Sequence, residues 1–231
     1  AMAKKVDKTE QQMIAVEEAL SRTEVFIEKN QRVLIIVIGV IVVAVLAFYG
    51  YKRLYVAPME EEAQSQMFMA ERYFEIDSLN RALYGDGNYL GFIDIIEEYG
   101  VTKSANLAKY YAGICYLKQG DFNQAIDYLD DFKKKDQIVG PMAFGALADA
   151  YLEMDQPEEA VKYYMEAAEF QTNDFTTPMF LMRAGWTYEI LGDYDKALGA
   201  YTRIQQEFPK SLQSPEIDKY KERAKILAGQ E

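Results

Sequence analysis

The sequence predicts an all-α protein in which one N-terminal transmembrane helix is followed by an α-solenoid of helix-turn-helix repeats. Three observations predict it. Val33 to Tyr51 is a run of nineteen residues without a charge. Segments beginning at Asn106, Pro141 and Pro178 align with one another at offsets of 35 and 37 residues. Between span and repeats, Met67, Ala70 and Phe74 recur at three- and four-residue spacing, as on one face of a helix.

The transmembrane element comes first. A nineteen-residue helix is ~28 Å long at ~1.5 Å per residue, close to the thickness of a bilayer's hydrocarbon core. Arg32 bounds one end and Lys52–Arg53 the other, while Tyr49, Tyr51 and Tyr55 suit an interfacial belt. The run follows a 32-residue polar lead and has no small-x-small site before Lys52, so an uncleaved anchor is expected rather than a signal peptide. Six basic residues precede the span, with Lys29 and Arg32 adjacent; Lys52, Arg53 and Arg72 follow it. The positive-inside rule then puts the N-terminus in the cytoplasm and the C-terminal part across the membrane. Residues 9–30 read as an amphipathic helix with Met13, Val16, Leu20 and Ile27 near one stripe and Phe26 beside it. It either continues the anchor or contacts a second copy or a membrane partner.

Charge separates the two parts. Residues 1–59 carry eight basic and six acidic side chains, and residues 60–231 carry 17 basic and 31 acidic, within a chain of net charge −12. So acidic a C-terminal part repels phosphate backbones, which argues against nucleic acid as a partner. Histidine is absent, which removes the commonest general base and most zinc sites. The one cysteine, Cys115, lies in an apolar stretch and reads as a small buried residue.

The repeats show themselves by column. Gly113, Ala148 and Gly185 form a small-residue column where the two helices of a hairpin touch, and Tyr116, Tyr151 and Tyr188 follow three residues later. Gly120, Asp155 and Gly192 fall at the turn, where a left-handed residue ends the first helix. Ala125, Ala160 and Ala197 make a second small column, followed four residues on by Leu129, Tyr164 and Tyr201. With Pro209 closing the third unit, residues 106–210 resemble the tetratricopeptide repeat (TPR) family. The match is not complete. Lys109, Phe144 and Leu181 stand where that family usually has tryptophan, and Asp155 replaces a turn glycine. Residues 58–99 are expected to add a degenerate helix pair, broken at Gly85–Gly87 and resuming from about Asn88 to Tyr99. Residues 214–227 are expected to form a polar capping helix.

Chemistry-bearing patterns are sparse. Asp86, Asn88, Gly91, Asp94 and Glu97 fit several positions of a calcium-loop template, but Leu90 offers no oxygen and the segment from Phe92 reads as helix. No phosphate loop or nucleophile elbow is present, so neither an enzyme, a cofactor nor a metal is expected. The TPR resemblance implies instead a binding groove lined by the second, fifth, ninth and twelfth residues of each first helix. Those are Leu107, Tyr110, Ile114 and Leu117; Met142, Gly145, Asp149 and Leu152; and Met179, Met182, Trp186 and Glu189. Methionine adapts to varied apolar shapes and aromatics supply contact area, which suits a polypeptide partner. Trp186, the one tryptophan, is the foremost candidate.

In architecture the chain is similar to the YfgM-type ancillary subunits of the SecYEG translocon. That resemblance implies translocon subunits, a periplasmic chaperone or exported clients as partners. It further implies a location in the bacterial inner membrane with the repeats in the periplasm, and the N-terminal and membrane helices offer a route to oligomers. The alternative is a scaffold for a secretion, division or outer-membrane assembly complex.

Overall fold

The computed structural model describes residues 8–229, with side chains from residue 27 onward. Of the predicted stripe, the side chains of Met13, Val16 and Leu20, with Phe26 beside it, therefore lie outside those described, and Ile27 is about half exposed. Among the described residues every regular element is helical. The chain divides into two compact units, residues 1–57 and 58–231.

The first unit is helix α1, Lys8–Tyr51, followed by a π-helical turn over Lys52–Val56. From Val33 its side chains stand free, with Ile36, Val43 and Leu46 each about two-thirds exposed. A row of β-branched and leucine side chains open on all sides has no protein core to face. Its length and composition are those of a helix able to cross a membrane.

The second unit is a stack of helices: α2 (Ala57–Glu75), α3 (Leu79–Tyr84), α4 (Phe92–Glu98), α5 (Lys103–Gln119), α6 (Phe122–Asp131), α7 (Val139–Glu153), α8 (Pro157–Glu169), α9 (Thr176–Ile190), α10 (Tyr194–Glu207) and α11 (Ile217–Leu227). A 3₁₀ turn at Ser214–Glu216 leads into α11. The pairs α5–α6, α7–α8 and α9–α10 are the three predicted hairpins.

Their turns use one device. Gly120 and Gly192 take φ of 81° and 73°, ending α5 and α9, and the next residue, Asp121 or Asp193, caps the following helix by accepting from a backbone N–H. The middle turn shares the left-handed residue, Asp155 at φ 58°, but Gln156 makes no side-chain cap there, and Pro157 opens α8 without wasting a donor. The small columns are genuine close approaches. A Cβ on Gly113 would sit 2.5 Å from Leu129, and one on Gly185 would sit 2.2 Å from the Tyr201 ring. Ala125, Ala160 and Ala197 are fully buried. Tyr116 stacks on Tyr128 and Tyr151 on Tyr163, with centroids 5.4 and 5.2 Å apart, so each tyrosine of the first helix fills the gap its small neighbour leaves.

Residues 58–99 form three helices rather than a pair. Asp77, at φ 59°, turns the chain after α2, and the short α3 ends at Gly85. The last helix begins at Phe92 instead of Asn88, because Asn88 and Tyr89 donate their N–H groups to Asp86 in a turn. Gly91 then caps α4 with its N–H bonded to Asp94, and it must be glycine there: an added Cβ would lie 2.2 Å from the Leu83 carbonyl oxygen. Asp86 also accepts from the Tyr73 hydroxyl at 2.7 Å, and these bonds hold its carboxyl below the ordinary range. The calcium-like pattern is thus a turn followed by a helix.

Glu60 joins the start of this module to the repeats. From α2 it accepts the N–H of Lys103 at 2.5 Å and the Ser104 hydroxyl at 2.8 Å, capping α5 across 43 residues of sequence. Partial burial works against its charged form, yet the bonds from Ser104, Lys103 and Gln64 prevail and its carboxyl lies below the usual glutamate value.

Candidate functional site

The first helices α5, α7 and α9 carry the predicted groove, and the structure sorts its twelve positions. The fifth residues serve packing. Gly145 lies under Phe180, where an added Cβ would meet the ring at 2.1 Å, and Met182 is 6% exposed within the core of the last repeats. Neither presents a side chain to a partner. Tyr110 is half-buried against Tyr111 and Phe132, both at 5.7 Å. Leu107, Ile114, Met142 and Met179 are likewise partly buried against neighbouring helices. The reason is geometric: adjacent first helices pack on one another, so this part of the face is consumed by the solenoid's own stacking.

Among the later positions Trp186 stands at the surface, while Leu117 and Leu152 are partly buried and the Glu189 side chain is 13% exposed. Trp186 is 42% exposed, with its ring 5.9 Å from Tyr220 of α11, and Ile190, one turn beyond it, is 64% exposed. Leu117 and Leu152 line a cleft of about 550 Å³ at the C-terminal ends of α5 and α7, together with Phe122, Asp149, Glu153 and Lys118. The cleft is open and its lining mixes polar and apolar groups. Lys118 is itself paired with Asp77 and lies 5.6 Å over the Phe74 ring.

Asp149 and Glu189, read in the sequence as groove acids, are the centres of two like-built clusters. Asp149 takes two bonds from Arg183 Nη1, at 2.7 and 2.9 Å, and a third from the Tyr164 hydroxyl. Glu189 accepts from the Tyr201 hydroxyl at 2.9 Å and pairs with Arg223 at 2.6 Å. In both, burial and the adjacent carboxylate push the tyrosine hydroxyl well above its ordinary pKa, so it stays a proton donor. Each cluster ties a hairpin to the helix that follows it. The arginines and tyrosines are not among the residues the sequence singles out, although Arg183 and Arg223 lie 34 residues after their acids, one repeat length in each case. The first repeat has Leu129 where the others have these tyrosines, and its junction is apolar instead, built from Leu129, Phe132 and Leu147.

Cys115 is buried, and desolvation pushes its thiol up to about 12. The surface offers an open cleft, a half-exposed indole and fixed charges.

Comparisons with known proteins agree with the geometry. Residues 107–136 and 146–211 match two tetratricopeptide repeat family models. A TPR repeat-containing protein of the archaeon Methanocaldococcus jannaschii is 29% identical over 133 residues, which is 57% of this chain and 23% of that protein. The chain thus spans about a quarter of that relative's length. Among solved structures, the nearly identical TPR-like repeats of a Podosopora anserina kinesin light chain superpose with a TM-score of 0.55 at 15% identity, covering 74% of this chain and 88% of that one. At that identity the likeness is one of fold. The hairpins between residues 107 and 211 are thus similar to tetratricopeptide repeats, and the fold is that of a TPR-like solenoid.

Proposed function

We propose that this chain is a membrane-anchored protein-interaction module of the export machinery, an ancillary translocon subunit of the YfgM type. In this reading α1 spans the inner membrane, the N-terminus is cytoplasmic, and the acidic repeats lie in the periplasm. There they receive exported polypeptides or a periplasmic chaperone. The observation that carries the reading is one freestanding apolar helix of membrane length in the same chain as a repeat array whose one tryptophan is left half-exposed. A large amphipathic ring at the surface of such an array is a typical energetic anchor of an interface. Replacing it with alanine should cost about 2 kcal/mol of binding, roughly a thirtyfold loss of affinity.

The test is capture of exported polypeptides by full-length protein in nanodiscs, comparing parent and Trp186→Ala, with helical content followed by circular dichroism. A large loss of capture at unchanged helicity supports the assignment. Equal capture by both proteins rejects Trp186 as the contact. Retention of one or two recurring envelope proteins, without clients, supports the scaffold alternative.

A further inference from the structure

Each repeat also leaves an apolar side chain in solvent in the loop before its first helix. Val101, Ile138, Phe175 and Leu212 are 54, 45, 59 and 86% exposed, and each is 37 residues from the next. All four sit in the loop that enters a first helix or the capping helix. The loops are not short of shelter for apolar groups. Each is rooted by an aromatic at the end of the preceding helix, Tyr99, Phe132, Phe170 or Phe208, and three of these are under 8% exposed while the fourth packs on Phe144. One apolar residue per loop goes in and one stays out.

Hydrogen bonds tie the first three of these loops into one edge, and the fourth follows at the same spacing in sequence. Asn106 holds Lys133 through two bonds, 2.8 and 3.3 Å, and Gln171 and Asn173 reach the carbonyls of Lys135 and Gln137 at 3.1 and 3.3 Å. By sequence, this edge is tied closely to the apolar span. Glu60, nine residues after Tyr51, is bonded to Lys103 and Ser104, beside Val101. The charge of the edge also departs from the rest of the unit. Loops 99–102, 132–138, 170–175 and 208–213 hold four lysines and two aspartates, and Lys103 opens α5 beside the first, in a unit where acids otherwise prevail. Lys134 is turned inward onto the Leu129 carbonyl, and Asp136 is occupied with the N–H groups of Ile138 and Val139. That leaves Lys103, Lys133, Lys135 and Lys210, whose side chains make no ion pair among the described residues.

We infer that this edge rests on an anionic phospholipid surface, with the four apolar tips inserted at the headgroup level and the lysines on lipid phosphates. A protein partner would need a contiguous patch of about 800 Å², whereas these tips stand singly among polar neighbours. A bilayer interface accepts apolar tips one at a time and rewards nearby lysines, each with about a fivefold gain in partitioning. The inference rests on the anchored reading above.

The test uses full-length protein in vesicles containing phosphatidylglycerol, spin-labelled at a cysteine placed at Ile138 or Phe175, with Gln156 on the opposite edge as reference; Cys115 is buried. We expect oxygen to outcompete a nickel chelate several-fold more at 138 and 175 than at 156. The excess should vanish in phosphatidylcholine vesicles, or when the four lysines are changed to glutamine. Solvent-like values at 138 and 175 in anionic vesicles would overturn the inference. So would shielding that appears in detergent and rises with protein concentration, which would mark a second copy. Alkaline extraction reads the anchor separately. A chain that stays inserted with solvent-like labels refutes the edge alone; a chain stripped by alkali but showing lipid-depth labels at neutral pH refutes the anchor alone.

Discussion

Glu60 shows how much one exposed-looking residue can hold. Its carboxylate satisfies two donors at the N-terminus of α5 and the Ser104 hydroxyl, so Glu60→Ala should destabilise the repeat unit by about 1–2 kcal/mol, as losing a helix cap does. The effect should depend on pH with a definite sign. A carboxyl held below its ordinary 4.5 in the folded state contributes stability above that value and loses it as pH falls through the folded value. The difference between parent and Glu60→Gln in urea unfolding should therefore be full at neutral pH and shrink below about pH 4.5. A gap that is unchanged in acid would show that Glu60 acts by shape and not by charge. Asp155 makes the opposite prediction. It occupies a left-handed turn position that Gly120 and Gly192 fill in its sister repeats, so Asp155→Gly should stabilise by a few tenths to about 1 kcal/mol, visible as a rise in Tm.

At the scale of elements, the hairpins depend on pairs of helices that touch through missing side chains. Gly185→Ala would press a methyl group against the Tyr201 ring, which is fully buried and bonded to Glu189, so the ring has little room to retreat. About 1–3 kcal/mol of destabilisation is expected, read by thermal unfolding, and more than for an alanine at exposed Gly199, which has open space around its Cβ position. These columns are legible in the sequence because the repeat prints the same spacing three times, and periodicity needs no knowledge of partners. The segment from Ser78 to Gly91 is not. Its course is set by a positive-φ aspartate, a glycine pressed on the Leu83 carbonyl and hydrogen bonds to Asp86, which leave no periodic mark. The groove is half legible. Sequence position places a residue on a helix face, but whether the next helix covers that face is decided by stacking. This is why Met182 and Gly145 are interior while Trp186 is open. The acid–tyrosine–arginine clusters are not singled out in the sequence, because each arginine is 34 residues and each tyrosine 12 or 15 residues from its acid, and only folding brings them together.

At the scale of the molecule, four junctions hold the array together by three means: a glutamate cap at the first repeat, an apolar junction between the first and second, and a charged cluster at each of the two junctions beyond. Arg183 and Asp149 are each about one-third exposed, so solvent weakens their attraction, and the Asp149→Ala, Arg183→Ala double-mutant cycle should give a coupling of about 0.5–1 kcal/mol in unfolding experiments. A coupling near zero would leave the apolar contacts as the whole of that junction. Trp186 on α9 remains open after these junctions form. The most direct test of the account is photo-crosslinking in cells from a reactive amino acid placed at Trp186 of the full-length chain, with the captured proteins identified by mass spectrometry. The account predicts many exported polypeptides together with translocon subunits, and a membrane-embedded chain. Capture of cytosolic proteins, or no capture above that from Gln156, would contradict it.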